Sequence, residues 1–174
     1  MRIVWAILVG GLAAGVLDIL YAFVVYGPLS YGLSPAEVLQ SVAAGWIGRD
    51  AAGAGGWNTA ALGLGTHFFI ATAMAAVYVL AATRMRALTA RPWLWGFLYG
   101  LVLYVAMNYV VVPLSASATG AFPADAAEAG ARLQSAFSSL RPLGLLQLLG
   151  TIFTHTAFVG IPIALAARRF GRAA

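Results

Sequence analysis

The chain has 174 residues, 62% hydrophobic and only 9% charged, with a mean hydropathy of +0.90, where a soluble domain carries roughly a quarter charged residues. Such a composition cannot cover a water-facing surface, so it excludes an ordinary soluble domain and points to lipid as the solvent. The net charge of +5 raises nucleic acid as a partner, but all ten basic residues are arginines set at the ends of apolar runs, a pattern that membrane topology explains and a nucleic-acid surface does not.

In chain order, the N-terminal stretch MRIVWAILVGGLAAGVLDIL has the Arg and apolar run of a signal peptide. The run continues to Val25 and contains an acid, Asp18, so it reads as a retained membrane helix. Four stretches reach the ~20 mostly apolar residues a span needs: Ile3–Tyr26, Thr59–Thr83, Pro92–Val112 and Leu143–Ala167. Trp5, Trp57, Trp93 and Trp95 stand at their boundaries as an aromatic belt would. Pro28 and Pro113 are expected to stop spans one and three, and Pro162 to kink span four.

Between spans one and two, Ser34-Pro35-Ala36-Glu37 reads as a capping box with proline at the first helical position. The amphipathic run VLQSVAAGWI that follows is expected to lie along the interface. The stretch AAGAGGWN, 51–58, reads as a glycine-rich link to span two. Pro123 through Leu140 reads as a second loop helix with Asp125 in its first turn.

Orientation follows from the arginines. Arg2, Arg84, Arg86, Arg91, Arg168, Arg169 and Arg172 share one side with no acid. Arg49, Arg132 and Arg141 face the other side with Glu37, Asp50, Asp125 and Glu128. The positive-inside rule then puts both termini in the cytoplasm of a bacterium, in its inner membrane, with the long loops outside.

The halves match at an offset of 85 residues: Gly11 with Gly96, Gly15 with Gly100, Pro28-Leu29-Ser30 with Pro113-Leu114-Ser115, and Leu80–Arg84 with Leu165–Arg169. Leu39-Gln40-Ser41 matches Leu133-Gln134-Ser135 at an offset of 94. The expected fold is therefore an all-α, integral membrane four-helix bundle. It would form a single transmembrane domain over 1–174, made of two tandem two-helix repeats (about 1–86 and 87–174) related by a pseudo-twofold along the membrane normal. Gly11, Gly15, Gly96 and Gly100 form small-xxx-small faces expected to pack helices.

Few polar groups interrupt the spans. Asp18, His67, Asn108, His155, Tyr104 and Thr154 make the candidate polar cluster, biased toward the outer half of the bilayer. An ionisable side chain in hydrocarbon costs at least ~2.5–3.5 kcal/mol and needs a partner. His67 or His155 is the expected partner of Asp18. Two readings stay open: Asp18 locks helices together, or it serves a site. At the repeat offset Asp18 falls on Leu103, so the acid belongs to one half only.

Two histidines on different helices raise bis-His haem b. At the repeat offset His67 falls on Ile152, which leaves His155 one helical turn beyond the equivalent place, about 4.5 Å deeper. The leading expectation is therefore no cofactor and no metal, with haem b, or metal ligation by Asp18, His67 and His155, as weaker alternatives. The chain has no cysteine, which removes thiolate catalysis, Cys-ligated zinc and iron–sulfur clusters. It carries no H-x-x-E-H, G-x-S-x-G, Walker A or EF-hand pattern, and no residue is assigned a catalytic role.

The stretches LGLGTHFFIATAMAAVYVLAATR (62–84) and LYGLVLYVAMNYVVVPLS (98–115), with SPAEVLQSVAAG and the closing H-x6-P-I-A-L-A-A-R-R, resemble a family of small bacterial inner-membrane proteins loosely grouped as YagU-like. The resemblance implies a four-helix inner-membrane protein and carries no activity or functional residues. The expected function is a transport-related or accessory membrane bundle with an outward-biased polar cavity around Asp18, lined also by His67, Asn108 and His155, and partnered by the lipid bilayer and by copies of itself or a larger complex. A haem- or quinone-binding redox protein, or a membrane enzyme using an Asp–His pair on an apolar substrate, stands as the alternative.

Overall fold

The computed structural model describes residues 2–138 and 145–171. Leu140, Arg141, Leu143 (the expected start of span four) and Arg172 lie outside the described residues. Those that are described form helices and no strands. The helices are α1 (Arg2–Tyr26), α2 (Pro35–Ile47), α3 (Arg49–Ala54), α4 (Gly56–Arg84), α5 (Arg86–Ala90), α6 (Pro92–Ala106), α7 (Val112–Leu114), α8 (Ala116–Thr119), α9 (Ala126–Ser138), α10 (Leu145–Phe153) and α11 (Ile161–Gly171). Three wider π-helical segments interleave them: Gly27–Tyr31, Met107–Val111 and Thr154–Gly160. Four stretches are long and apolar enough to cross a membrane: Arg2–Tyr31, Gly56–Arg84, Pro92–Leu114 and Gln147–Phe170.

The prolines behave differently from expectation. Neither Pro28 nor Pro113 stops its helix: the helical run continues through the π segment to Tyr31 in the first case and to Leu114 in the second. A proline removes one donor from the i→i−4 ladder and crowds the carbonyl four residues back. The wider π register absorbs both effects beside Pro28, and a π segment likewise immediately precedes α7 with its Pro113. The chain turns out of the helix only at Gly32 (φ +68°) and at the extended Ser115. Pro162 likewise follows a π segment, Thr154–Gly160.

The chain divides into two compact units. Of the described residues, the first holds 2–21, 67–104 and 145–171, and the second holds 22–66 and 105–138.

In the first unit, small residues set the packing. A Cβ on Gly11 would stand 2.7 Å from Thr72 Cα, and one on Gly96 would stand 2.8 Å from Ile161 Cα. Gly15 meets the Phe68 ring, and Gly100 meets the His155 and Thr156 backbone. All four predicted glycines thus sit at close helix contacts, where backbones approach because no side chain intervenes. The unit's core gathers Ala14, Ala75, Tyr78, Val79, Leu103 and Ile163.

In the second unit, α2 begins at the expected capping box. The Ser34 amide donates to Glu37 Oε2 at 2.7 Å, and the Glu37 amide donates to Ser34 Oγ at 3.3 Å. The expected glycine-rich link at 51–58 is instead helical, as α3 and the start of α4, with Gly55 alone between them. Alanine favours helix, and Thr59 Oγ1 bonds the Ala52 carbonyl at 2.6 Å across the join. α2 lies against α3 and α8, and Arg49 Nε donates to the Ser117 carbonyl at 2.9 Å. The second loop helix forms as α9, with Asp125 capping it from just outside through the Glu128 amide at 2.8 Å.

Candidate functional site

α1 carries Asp18 in an otherwise apolar stretch, with Gly15 one turn before it. The missing side chain at Gly15 lets α4 approach, and His67 uses the opening: its Nε2 donates to the Gly15 carbonyl at 2.9 Å. A carbonyl only accepts, so Nε2 holds the ring proton and Nδ1 is the nitrogen that faces Asp18. Nδ1 stands 4.0 Å from Asp18 Oδ2, beyond hydrogen-bond reach but within ion-pair distance. The other carboxylate oxygen, Oδ1, accepts the Thr154 hydroxyl at 2.8 Å.

Three segments therefore converge on one carboxylate. Thr154 is buried at 6% exposure, while the His67 and Asp18 side chains keep 12% and 29%. His67 Nδ1 and the Thr154 hydroxyl thus face the two oxygens of one carboxylate.

Of the six candidate residues, the structure brings together Asp18, His67 and Thr154. His155 does not join them. Its Nδ1 donates to the Thr151 carbonyl at 2.8 Å, and its ring meets the edge of Tyr104 at 6.0 Å. Thr154 and His155 are neighbours on one π segment and so point in different directions. Tyr104 is buried at 7% beside Leu103 in the core. Asn108 belongs to the second unit, half-buried on the π segment Met107–Val111. Among the described residues, no three His, Cys, Asp or Glu side chains gather as a metal group.

Sequence reasoning missed the Gly15 carbonyl as the partner of His67. Tyr21 lies one turn after Asp18, with its ring 6.3 Å from Phe153 and 5.9 Å from Phe158. Gly150 makes room for its hydroxyl, since a Cβ there would fall 2.5 Å from that oxygen. The available signal was the spacing Gly15–Asp18–Tyr21, which puts a carbonyl, an acid and a phenol on one helix face. The chain matches no protein-family model, no curated protein and no solved structure.

Proposed function

We propose that this chain is a four-span inner-membrane protein, both termini cytoplasmic, in which Asp18, His67 and Thr154 form a proton-holding site of a transport-related bundle. The observation that carries the reading is the convergence of three separate segments on one acid, with His67 Nδ1 and Thr154 Oγ1 facing its two oxygens. An acid placed inside an apolar span is costly and is functional by default. The outward faces of the long helices support the membrane part: Leu12, Phe69, Val77 and Val102 are each at least 59% exposed, a surface that suits lipid and not water. The glycine contacts of Gly11 and Gly15 in one half, and of Gly96 and Gly100 in the other, support the tandem repeat. Leu103, the repeat partner of Asp18, is buried in the core, so the acid belongs to one repeat and the site is asymmetric. Four spans enclose little space, so movement of a substrate calls for a homo-oligomer or a larger complex.

The test is proton flux into proteoliposomes loaded with a pH-sensitive dye, driven by a potassium diffusion potential. The wild-type protein is expected to pass protons, and Asp18→Asn to stop the flux without changing the thermal midpoint. No flux with wild type, or equal flux with Asp18→Asn, overturns the reading. Loss of flux together with a large fall in thermal stability identifies Asp18 as a helix lock instead.

A further inference from the structure

Five arginines of the first unit have no acid to answer them. Arg84 ends α4, Arg86 and Arg91 bracket α5, and Arg168 and Arg169 lie in the last turn of α11. All five are exposed. Among the described residues none pairs with a carboxylate, and the one acid in this unit is Asp18, in the middle of α1.

The fold gathers these arginines at one end of one core. α5 is anchored by Leu88, buried at 7%, whose carbonyl accepts the Tyr78 hydroxyl at 3.0 Å. Packed in the same cluster are Ala81 and Ala82 just before Arg84, Trp95 one turn after Arg91, and Ala167 and Phe170 flanking Arg168 and Arg169. Trp93, two residues past Arg91, is 63% exposed. An exposed indole beside unpaired guanidinium groups is the composition of a surface at headgroup depth. The charge is carried by arginine alone, and its planar fork grips a phosphodiester through two parallel N–H···O bonds, where an ammonium offers only a point charge.

We propose that the arginine surface of α4, α5 and α11 selects anionic phospholipids, binding the phosphodiester headgroup of phosphatidylglycerol or cardiolipin. The inference rests on the membrane reading above and goes beyond it by naming the lipid class. The attraction is graded: each basic residue near the surface contributes roughly a fivefold factor in lipid affinity.

The test is native mass spectrometry of the purified full chain exchanged into mixtures of phosphatidylglycerol, cardiolipin and phosphatidylcholine. Wild type is expected to retain the anionic lipids over phosphatidylcholine. The triple variant Arg86→Gln, Arg168→Gln, Arg169→Gln should lose that preference by roughly a hundredfold. The matching triple change to lysine should restore part of it, which separates loss of charge from loss of fold. Equal retention of all three lipids by wild type, or an unchanged preference in the glutamine variant, overturns the inference while the membrane reading stands. Recovery of the protein in the soluble fraction instead of alkali-washed membranes overturns both.

Discussion

Thr154 Oγ1 donates to Asp18 Oδ1 at 2.8 Å, joining residues 136 positions apart in the chain. Removing the hydroxyl in Thr154→Val should cost about 1 kcal/mol of stability, the usual worth of such a bond. Thr154→Ser should retain it. Thermal unfolding of the two variants in detergent measures the difference, and equal midpoints would show that the bond contributes nothing.

The glycines divide by what faces them. A Cβ on Gly11 meets Thr72 Cα at 2.7 Å, whereas one on Gly65 meets nothing within 4 Å. Gly11→Ala should therefore destabilise by about 1–3 kcal/mol through overpacking. Gly65→Ala should be neutral or should stabilise by up to ~1 kcal/mol through helix propensity. Similar losses at both positions would remove the distinction.

The α2 cap is sensitive to acid. The Ser34 amide, and then its hydroxyl, hold the Glu37 carboxyl below its ordinary value of 4.5. A folded-state value below the unfolded one gives stability that is present above the ordinary value and lost as pH falls through the lowered one. The protection of the Ser34 and Glu37 amides, taken relative to their intrinsic exchange rates, should fall on acidification into that range. Glu37→Gln, which can still accept from the Ser34 amide, should show no such pH dependence.

Topology is directly accessible because the chain has no native cysteine. Ala87, in α5, and Thr119, in α8, are both exposed. In intact cells a membrane-impermeant maleimide should label Thr119→Cys at once, and Ala87→Cys only after permeabilisation. The reverse pattern inverts the proposed orientation.

Much of this architecture was legible because long apolar helices are written in composition. Ile3–Tyr26, Thr59–Thr83 and Pro92–Val112 agree closely with Arg2–Tyr31, Gly56–Arg84 and Pro92–Leu114. The Ser34–Glu37 box was legible because a cap is a contact three residues long. The wide turns at Gly27–Tyr31 and Met107–Val111 were not, because proline marks a missing donor without saying whether the helix ends or widens. Asp18 was conspicuous from its setting alone, but its choice of His67 over His155 was not. That choice depends on the rotation of span four, which a residue count along a regular helix gets wrong where a π segment intervenes.

The segment Thr154–Gly160 thus works as an angular offset within a single rod. A π segment carries a residue beyond the α register, and one residue amounts to roughly 100° of rotation. The length of span four ahead of the segment and the length beyond it are phased independently. One length turns Thr154 toward Asp18, and the other seats Ile163 and Ala164 in the core. Deleting a single codon between 157 and 160 would leave the span nearly as long and as apolar, yet it would swing Thr154 away from Asp18.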